Sequence, residues 1–440
     1  MTNQVFRPPR IGRPALGALG RLLGRIGPWR RLALFLAVAG PGLITGIVDD
    51  DATGIAGYSI AGSRFGYDLL WTLLLAAVAL AIVGEMAARM GSITGKGLGE
   101  VIRERFGVRI TSFALLILVM ANLATIVAEF AGIAGAAEIF HVSRYIAVPL
   151  AALLVFGIVV YGSYRRVEKV LLTFSLVSVA YIITGFLAKP DWGAVATHSV
   201  VPHVQANLAY LSVLIGVIGT TITPWQQFYL QSTVVDKGLG EREFKLERLD
   251  VFIGALASAT IAFFIIVTTA ATLHAHGEPS GNIEEVAQSL RPLAGDFAAR
   301  LFALGLLNAS LLAAAVLPLT TAYAVCGAFG WERSVNQPLR EAPVFFGLFG
   351  GLLVVGAVAV LVPGMPLLIL LLIPNVVGAV LLPVILILML KVLNDSRIMG
   401  RWTNSTGWNV AAWTVTGVLI VLTVGYALIA VLQATGVVSG

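Results

Sequence analysis

The sequence is poor in charge, cysteine and histidine, and these shortages exclude several classes of protein. Only 12% of its 440 residues are charged while 58% are hydrophobic, whereas an ordinary soluble domain has about 25% charged and 45–50% apolar residues. This composition excludes a soluble enzyme, a nucleic-acid-binding protein and a disordered chain. The single cysteine, Cys326, excludes internal disulfide bonds and a thiolate metal cluster. The composition therefore indicates an all-α polytopic membrane protein that is embedded in a lipid bilayer.

Long hydrophobic runs are abundant in the chain. A helix needs about 20 apolar residues to cross a bilayer, and eleven such segments are separated by Gly, Pro and charged clusters. The predicted spans are residues 33–63, 67–89, 111–138, 145–162, 167–188, 207–233, 250–273, 297–328, 343–362, 367–392 and 409–434. They define an Arg-rich N-terminal tail at 1–32, a first repeat at 33–188 (spans 1–5), a second repeat at 207–392 (spans 6–10) and span 11 at 409–434.

The basic residues lie mainly on one side of the predicted spans. If the N-terminus is placed inside, 24 of the 29 Lys and Arg residues fall in the tail and the inner loops. Cytoplasmic segments carry such an excess, so we expect a cytoplasmic N-terminus and an outer C-terminus in the inner or plasma membrane. The seven arginines of the tail are expected to contact anionic lipid.

Span 1 is interrupted by acidic residues. Asp49, Asp50 and Asp51 lie at mid-length and are followed by Thr53 and Gly54. One charge at the centre of a membrane helix costs on the order of 3 kcal/mol, so these acids must face water, a cation or a polar cavity. Adjacent residues of a regular helix point about 100° apart, so all three acids can face one ion only if the helix unwinds.

Span 6 is interrupted by a proline among threonines and glutamines, at residues 218–231. Pro224 removes a helical hydrogen bond, and irregular backbone at membrane depth is tolerated only where it lines a cavity. The two interrupted spans lie five spans apart, in halves of opposite orientation. This layout is typical of an inverted repeat with a transport site at the bilayer midplane.

The polar groups at both breaks are oxygen ligands, which favour Mg²⁺, Ca²⁺ or Mn²⁺. Glu129 in span 3 either helps to hold the cation or its water shell, or is a neutral helix contact. Asn375, after Pro374 in span 10, either supplies an amide oxygen or makes a helix–helix contact. All five histidines fall in predicted outer loops, where His274 and His276 form either a weak metal trap or part of a solvated loop.

Six short motifs lie along the chain: G-P-G at 40–42, GSRFGYDLLW at 62–71, AARMGSITGK at 87–96, EVIRERFG at 100–107, LPVI at 382–385 and NDSRIMG at 394–400. They resemble motifs of the NRAMP family of divalent-metal transporters. The resemblance covers nearly the whole chain. It implies a LeuT-like fold, with two inverted five-helix repeats plus an eleventh helix.

The chain departs from the family pattern at the metal ligands. The D-P-G-N motif of the family falls on residues 51–54, so its Asn is Gly54 here, and the Met of its A-x-x-M motif is Thr223. The histidines that the family has in span 6 are replaced by Trp225 and Gln231, and its D-L-A-E motif keeps only Glu129. This pattern is similar to the NRAMP-related magnesium transporters, a branch that takes up Mg²⁺ and Mn²⁺ without proton coupling.

The resemblance and the ligand chemistry together give a predicted metal site. Mg²⁺ dehydrates reluctantly and keeps several waters, so a wide site without sulfur suits it better than a site with Met. The expected ligand set is Asp51 as the direct carboxylate, Thr220 and Thr223 as carbonyl or hydroxyl donors, Glu129, Asn375, Gln226 and Gln227 around bound waters, Asp50 as added charge and Gly54 as the residue that leaves room.

We therefore expect a secondary transporter or uniporter that moves partly hydrated Mg²⁺, and Mn²⁺, by alternating access without proton coupling. One alternative is a proton-coupled Mn²⁺/Fe²⁺ importer of the ordinary NRAMP type. Another is a sodium-coupled amino-acid carrier on the same fold, although three Asp would repel its carboxylate. The chain has no zinc-protease, serine-hydrolase or Walker motif, so no enzyme is expected. We expect a monomer with no resident cofactor.

Overall fold

The computed structural model describes residues 40–161, 179–205, 207–277, 296–333, 335 and 337–434. The predicted tail at 1–32, the beginnings of spans 1 and 5, and most of the loop before span 8 lie outside these residues. Within them the chain consists of helices and the turns that join them, without a β-strand.

Fifteen α-helices lie in the described residues. They are α1 (Pro41–Val48), α2 (Ala52–Phe65), α3 (Leu70–Thr94), α4 (Leu98–Ile139), α5 (Arg144–Tyr161), α6 (Val179–Leu187), α7 (Trp192–Val200), α8 (Leu208–Thr221), α9 (Pro224–Asp236), α10 (Phe244–Thr272), α11 (Asp296–Phe329), α12 (Pro343–Leu361), α13 (Leu367–Leu393), α14 (Ser396–Met399) and α15 (Thr406–Ala434). Two 3₁₀ turns, His274–His276 and Gly400–Trp402, complete the set.

The predicted spans correspond to these helices. Nine segments of the described residues are long and apolar enough to cross a membrane, with α8 and α9 counted together. Span 1 is divided into α1 and α2, and span 5 is described only from Val179 onward as α6. Three α-helical stretches lie outside the predicted spans. Helix α4 begins at Leu98 and passes through a kink at Gly107 (φ 79°), α7 precedes span 6, and α14 lies between spans 10 and 11.

The interior is built on small residues that let helices approach closely. Helix α1 crosses α10 so tightly that a Cβ added at Gly46 would lie 2.3 Å from the carbonyl oxygen of Gly254. Small residues are favoured at such crossings because lipid gives helices no hydrophobic reason to associate, so close van der Waals packing must hold them together. Helix α4 packs along α11 and α13. Together these contacts enclose the two helix breaks in the centre of the protein.

Candidate metal centre

The break in span 1 is formed by the three acids predicted to interrupt it. Helix α1 ends at Val48 and α2 begins at Ala52, with Asp51 as its N-cap. Oδ1 of Asp51 accepts hydrogen bonds from the hydroxyl of Thr53 at 2.6 Å and from the backbone N–H of Gly54 at 2.9 Å. A carboxylate is stabilised there by the free N–H groups and the positive end of the helix dipole.

The break in span 6 lies where Pro224 was predicted to place it. Helix α8 ends at Thr221, Ile222 and Thr223 are extended, and α9 begins with Pro224 at its first position. Proline is favoured at that position because its missing N–H would be unpaired in any case. The backbone N–H of Thr223 donates to Oε1 of Gln226 at 3.0 Å. The amide of Gln226 therefore closes the first turn of α9.

Direct hydrogen bonds join the two breaks. Nε2 of Gln226 donates to Oδ1 of Asp49, and the hydroxyls of Thr53 and Thr220 lie 3.3 Å apart. Oδ2 of Asp49 accepts from the hydroxyl of Ser258 in α10 at 2.9 Å. The unwound segments of the two repeats thus meet at one place, as the inverted-repeat prediction required.

Four acids are enclosed at this place. Asp49, Asp50, Asp51 and Glu129 are each at most 3% exposed, and within the described chain none of them forms an ion pair with Lys, Arg or His. Neither carboxylate oxygen of Asp50 has a hydrogen-bond partner among the described residues, nor has Oε1 of Glu129. The carboxyl groups of Asp51 and Glu129 are close enough to interact. Buried charge of one sign requires a compensating ion or bound protons.

Two residues pack closely beside these acids. A Cβ added at Gly54 would lie 2.9 Å from the carbonyl oxygen of Asp49 and 3.5 Å from the hydroxyl oxygen of Thr220. Asn375 in α13 donates from Nδ2 to the carbonyl oxygen of Thr53 at 3.1 Å. A side chain at position 54 would therefore push the breaks apart, and Asn375 holds the backbone next to it.

The structure brings the predicted site residues to one place. Gln226 and Gln227, however, use their amides to bind protein groups. Both amide atoms of Gln226 bind protein groups, namely Thr223, Asp49 and the carbonyl oxygen of Thr221 at 3.2 Å. Gln227, with its amide turned to match its neighbours, donates to the carbonyl oxygens of Thr223 at 2.7 Å and Pro224 at 2.9 Å.

Three residues that hold the two breaks together were not predicted to do so. Asp49 had no defined part in the prediction, although it joins the two breaks. It did not single out Ser258, the partner of Asp49, or Tyr58, whose hydroxyl lies 2.9 Å from that of Thr221. In the sequence these residues are marked only as polar side chains within apolar spans. Residues of ordinary helix–helix contacts have the same pattern, so the sequence does not separate the two.

Two other acids of α3 and α4 form ion pairs with arginines. Glu85 pairs with Arg89 one turn along α3 at 3.3 Å. Glu138 lies at the end of α4 and pairs with Arg144 at 2.6 Å. Neither belongs to the central cluster.

Two broken helices that meet at mid-depth in a bundle of membrane-spanning helices define the architecture of a secondary transporter. Solved structures share this fold. A manganese transporter of Eremococcus coleocola superposes with a TM-score of 0.73 over 88% of this chain and 85% of that chain, at 20% identity. Mhp1, a nucleobase-cation-symport-1 family transporter, superposes with a TM-score of 0.59 over 90% and 93%, at 15% identity. The fold is the LeuT type, with two inverted five-helix repeats and an eleventh helix.

The family model for Nramp, described as natural resistance-associated macrophage protein-like, matches residues 42–429, so the chain belongs to the Nramp family. A relative in Acidiphilium cryptum, named divalent metal cation transporter MntH, is 28% identical over 357 residues, which are 78% of this chain and 80% of the relative. A protein of the same name in Deinococcus radiodurans is 31% identical over 313 residues, 67% and 70% of the two chains. The predicted family is confirmed, and the magnesium branch stays a prediction.

Proposed function

We propose that this protein carries divalent metal ions across the membrane, with Mg²⁺ as its main substrate and Mn²⁺ as a second one. The ion moves partly hydrated, by alternating access and without proton coupling. The observation that carries this proposal is the cluster of four buried acids at the junction of the two broken helices. The hydrogen bonds that reach them from described N–H and hydroxyl groups carry no positive charge, and in this proposal a dication supplies it.

The ligand chemistry supports an alkaline-earth ion. The described groups around the breaks are carboxylate, hydroxyl, amide and carbonyl groups, which are oxygen-rich ligands of the kind that Mg²⁺ prefers. Asp51 would be the direct carboxylate ligand through Oδ2, and the oxygens of Thr220 and Thr223 would face the ion or its waters. Asp50 and Glu129 each keep buried oxygens without a described hydrogen-bond partner, so they could accept hydrogen bonds from metal-bound water.

Two positions that depart from the family pattern support an alkaline-earth ion. Position 54 has no room for the Asn of the ordinary family pattern, because a Cβ there would lie 2.9 Å from the carbonyl oxygen of Asp49, so an amide ligand is absent. Thr223 likewise replaces a thioether that favours softer metals. Mg²⁺ keeps several of its waters when bound to protein, so a site with fewer protein ligands suits it.

Transport in liposomes tests the proposal. Mg²⁺ and Mn²⁺ uptake is measured with a pH dye inside, for the wild type, Asp51→Ala and Thr223→Met. We expect Asp51→Ala to abolish uptake of both ions, and Thr223→Met to shift preference toward Mn²⁺. Asp191→Ala, at the exposed start of α7, and Thr260→Met, on α10, are matched controls that should transport normally. Strong Mg²⁺ uptake by Asp51→Ala would refute the ligand assignment.

The second candidate function is proton-coupled uptake of Mn²⁺ or Fe²⁺. It is favoured by the relatives, which are named divalent metal cation transporters. The same assay separates the two functions, because proton-coupled uptake acidifies the liposome interior in step with Mn²⁺ entry. An internal pH that stays constant during Mg²⁺ uptake supports the uncoupled mechanism. A sodium-coupled amino-acid carrier is disfavoured, since four buried acids would repel the substrate carboxylate.

The charge distribution supports a definite orientation as part of the proposal. The N-terminus would be cytoplasmic and the C-terminus outside, so α1 would begin near the inner face and α2 would end near the outer face. Access to the cluster of buried acids would then alternate between the two sides of the membrane as the segments around the two breaks move. Labelling of single cysteines placed at 193 and 242 from either side of sealed vesicles tests this orientation, with Cys326→Ser as the background.

A further inference from the structure

A second group of metal-binding side chains lies away from the helix breaks, in the segments that connect the spans. It consists of Asp68, in the turn between α2 and α3, with His198 near the end of α7 and His203 in the segment after it. One ligand atom from each residue lies within 4.8 Å of the other two. In the described part of the chain this is the one place where three His, Cys, Asp or Glu residues converge in this way.

The two imidazoles are already set for metal binding. Nδ1 of His198 lies 2.9 Å from the carbonyl oxygen of Ala194, and Nδ1 of His203 lies 2.9 Å from the carbonyl oxygen of Val201. A carbonyl oxygen can only accept, so each Nδ1 must carry the proton. In the neutral ring, Nε2 is therefore unprotonated and free to bind a metal. Backbone carbonyls fix the tautomer of metal-binding histidines in the same way.

The carboxylate is held in place as well. Oδ1 of Asp68 lies 3.4 Å from Nε2 of His198. Its other oxygen, Oδ2, accepts a hydrogen bond from Nε2 of Gln205 at 2.7 Å. The hydroxyl of Tyr210 donates to the carbonyl oxygen of His203 at 2.7 Å and so anchors the backbone of that ligand. The rings of His198 and His203 stack at 4.1 Å.

Rotation of the two rings would complete a coordination sphere. Ligand atoms around one tetrahedral zinc ion are roughly 3.3 Å apart, given bonds of about 2.0–2.1 Å. The side chains of His198 and Asp68 are 26% and 23% exposed, so an ion can reach them from solvent and bring its own water as a fourth ligand. The ligand atoms already lie within 4.8 Å of one another, and the stacked imidazoles would turn toward the ion as it binds.

We propose that Asp68, His198 and His203 form a second metal site, selective for imidazole-binding transition metals such as Zn²⁺. Two nitrogen ligands and one oxygen suit Zn²⁺, whereas Mg²⁺ prefers oxygen alone. Asp68 comes from the predicted first repeat, and the two histidines come from the segment that precedes α8. A bound ion therefore ties the end of one broken span to the segment that leads into the other.

Calorimetry on an Asp51→Ala background tests this site separately from the central one, so its outcome is independent of the proposed transport function. Full-length protein without an affinity tag is titrated with Zn²⁺, and we expect one equivalent to bind even with Mg²⁺ in large excess. His198→Ala with His203→Ala should abolish that binding. The control is His141→Ala, which removes an imidazole outside the cluster and should bind normally.

Gln205→Ala tests whether the orientation of Asp68 matters for zinc affinity. It removes the amide that donates to Oδ2 of Asp68 and leaves the three ligands in place. Loss of such an orienting partner weakens metal binding about 10–100-fold. All variants are first compared with the parent by size-exclusion chromatography and thermal unfolding. Zinc binding that survives the double histidine substitution, or no binding to the parent, would overturn the proposal.

Discussion

The carboxylate of Glu129 in α4 accepts a hydrogen bond from the backbone N–H of Ala52, at 3.3 Å. Ala52 is the first residue of α2, so a buried acid from span 3 binds the open start of the second half of span 1. The other oxygen of Glu129 has no described hydrogen-bond partner. The sequence left open whether Glu129 serves the cation or is a helix contact. One oxygen of Glu129 makes the helix contact, and in the proposed site the other oxygen serves the cation or its water.

Substitution Glu129→Gln keeps the size of the side chain and removes its charge. We expect the half-saturating Mg²⁺ concentration for uptake to rise about tenfold, which corresponds to about 1.4 kcal/mol. Concentration series in liposomes measure it. Glu138→Gln, at the far end of the same helix, is the matched control and should leave uptake unchanged. Unchanged Mg²⁺ affinity in Glu129→Gln would assign Glu129 to the helix contact alone.

Ser258→Ala removes the hydroxyl that donates to Asp49. One buried carboxylate oxygen then loses its donor, which costs about 1–3 kcal/mol of stability. Thermal unfolding in detergent should show a lower transition temperature than in the wild type. Thr260→Ala on the same helix removes a hydroxyl that binds only its own helix, at the carbonyl oxygen of Leu256, and should have little effect. Equal transition temperatures for both variants would contradict the part given to Ser258.

Gly46→Ala tests the crossing of α1 and α10. The added methyl would meet the backbone of Gly254, and overpacking of this kind costs about 1–3 kcal/mol. We expect a lower transition temperature in thermal unfolding. Gly157→Ala in α5 is the control, because nothing lies within 4 Å of its added Cβ and Ala favours the helix. Equal transition temperatures for the two variants would contradict the close packing of α1 against α10.

Asp250→Ala should release the start of α1. Oδ2 of Asp250 accepts from the backbone N–H groups of Gly40 at 3.1 Å and Gly42 at 2.7 Å, so a buried acid of α10 holds this helix end. On a Cys326→Ser background, a reporter made by Thr45→Cys should react with maleimide several-fold faster when Asp250 is replaced. Lys245→Ala, an exposed change on α10, is the control. Labelling rates that match the control would rule out this tether.

The loop after span 10 gives a pH test. Asp395 caps α14, and hydrogen bonds from Arg397 together with the charges of Arg397 and Arg105 lower the pKa of its carboxyl below the ordinary value of 3.8. A lowered pKa stabilises the fold above pH 3.8, and this contribution is lost as pH falls further. The difference in transition temperature between wild type and Asp395→Asn should therefore stay constant from pH 7 to pH 5. A difference that disappears already at pH 5 would contradict the assignment.

The span pattern and the two breaks could be predicted because their causes are local. Apolar runs set the helices, Pro224 cannot continue the helix before it, and three adjacent acids cannot lie in lipid. The segment at 98–106 was expected to be a loop because it carries charges, yet it is helical, since its apolar side is buried: Val101 and Ile102 are almost fully covered.

The sequence by itself determined a helical membrane protein with two interrupted spans and an oxygen-rich set of side chains at each interruption. Only the tertiary structure decided which of these groups meet. Asp49 contacts Gln226 and Ser258 at separations of 177 and 209 residues, and Asp68 contacts His198 in the segment that precedes α8. Such pairs are fixed by helix packing, because the side chain that completes a hydrogen bond or a metal site is supplied by whichever helix the fold places opposite.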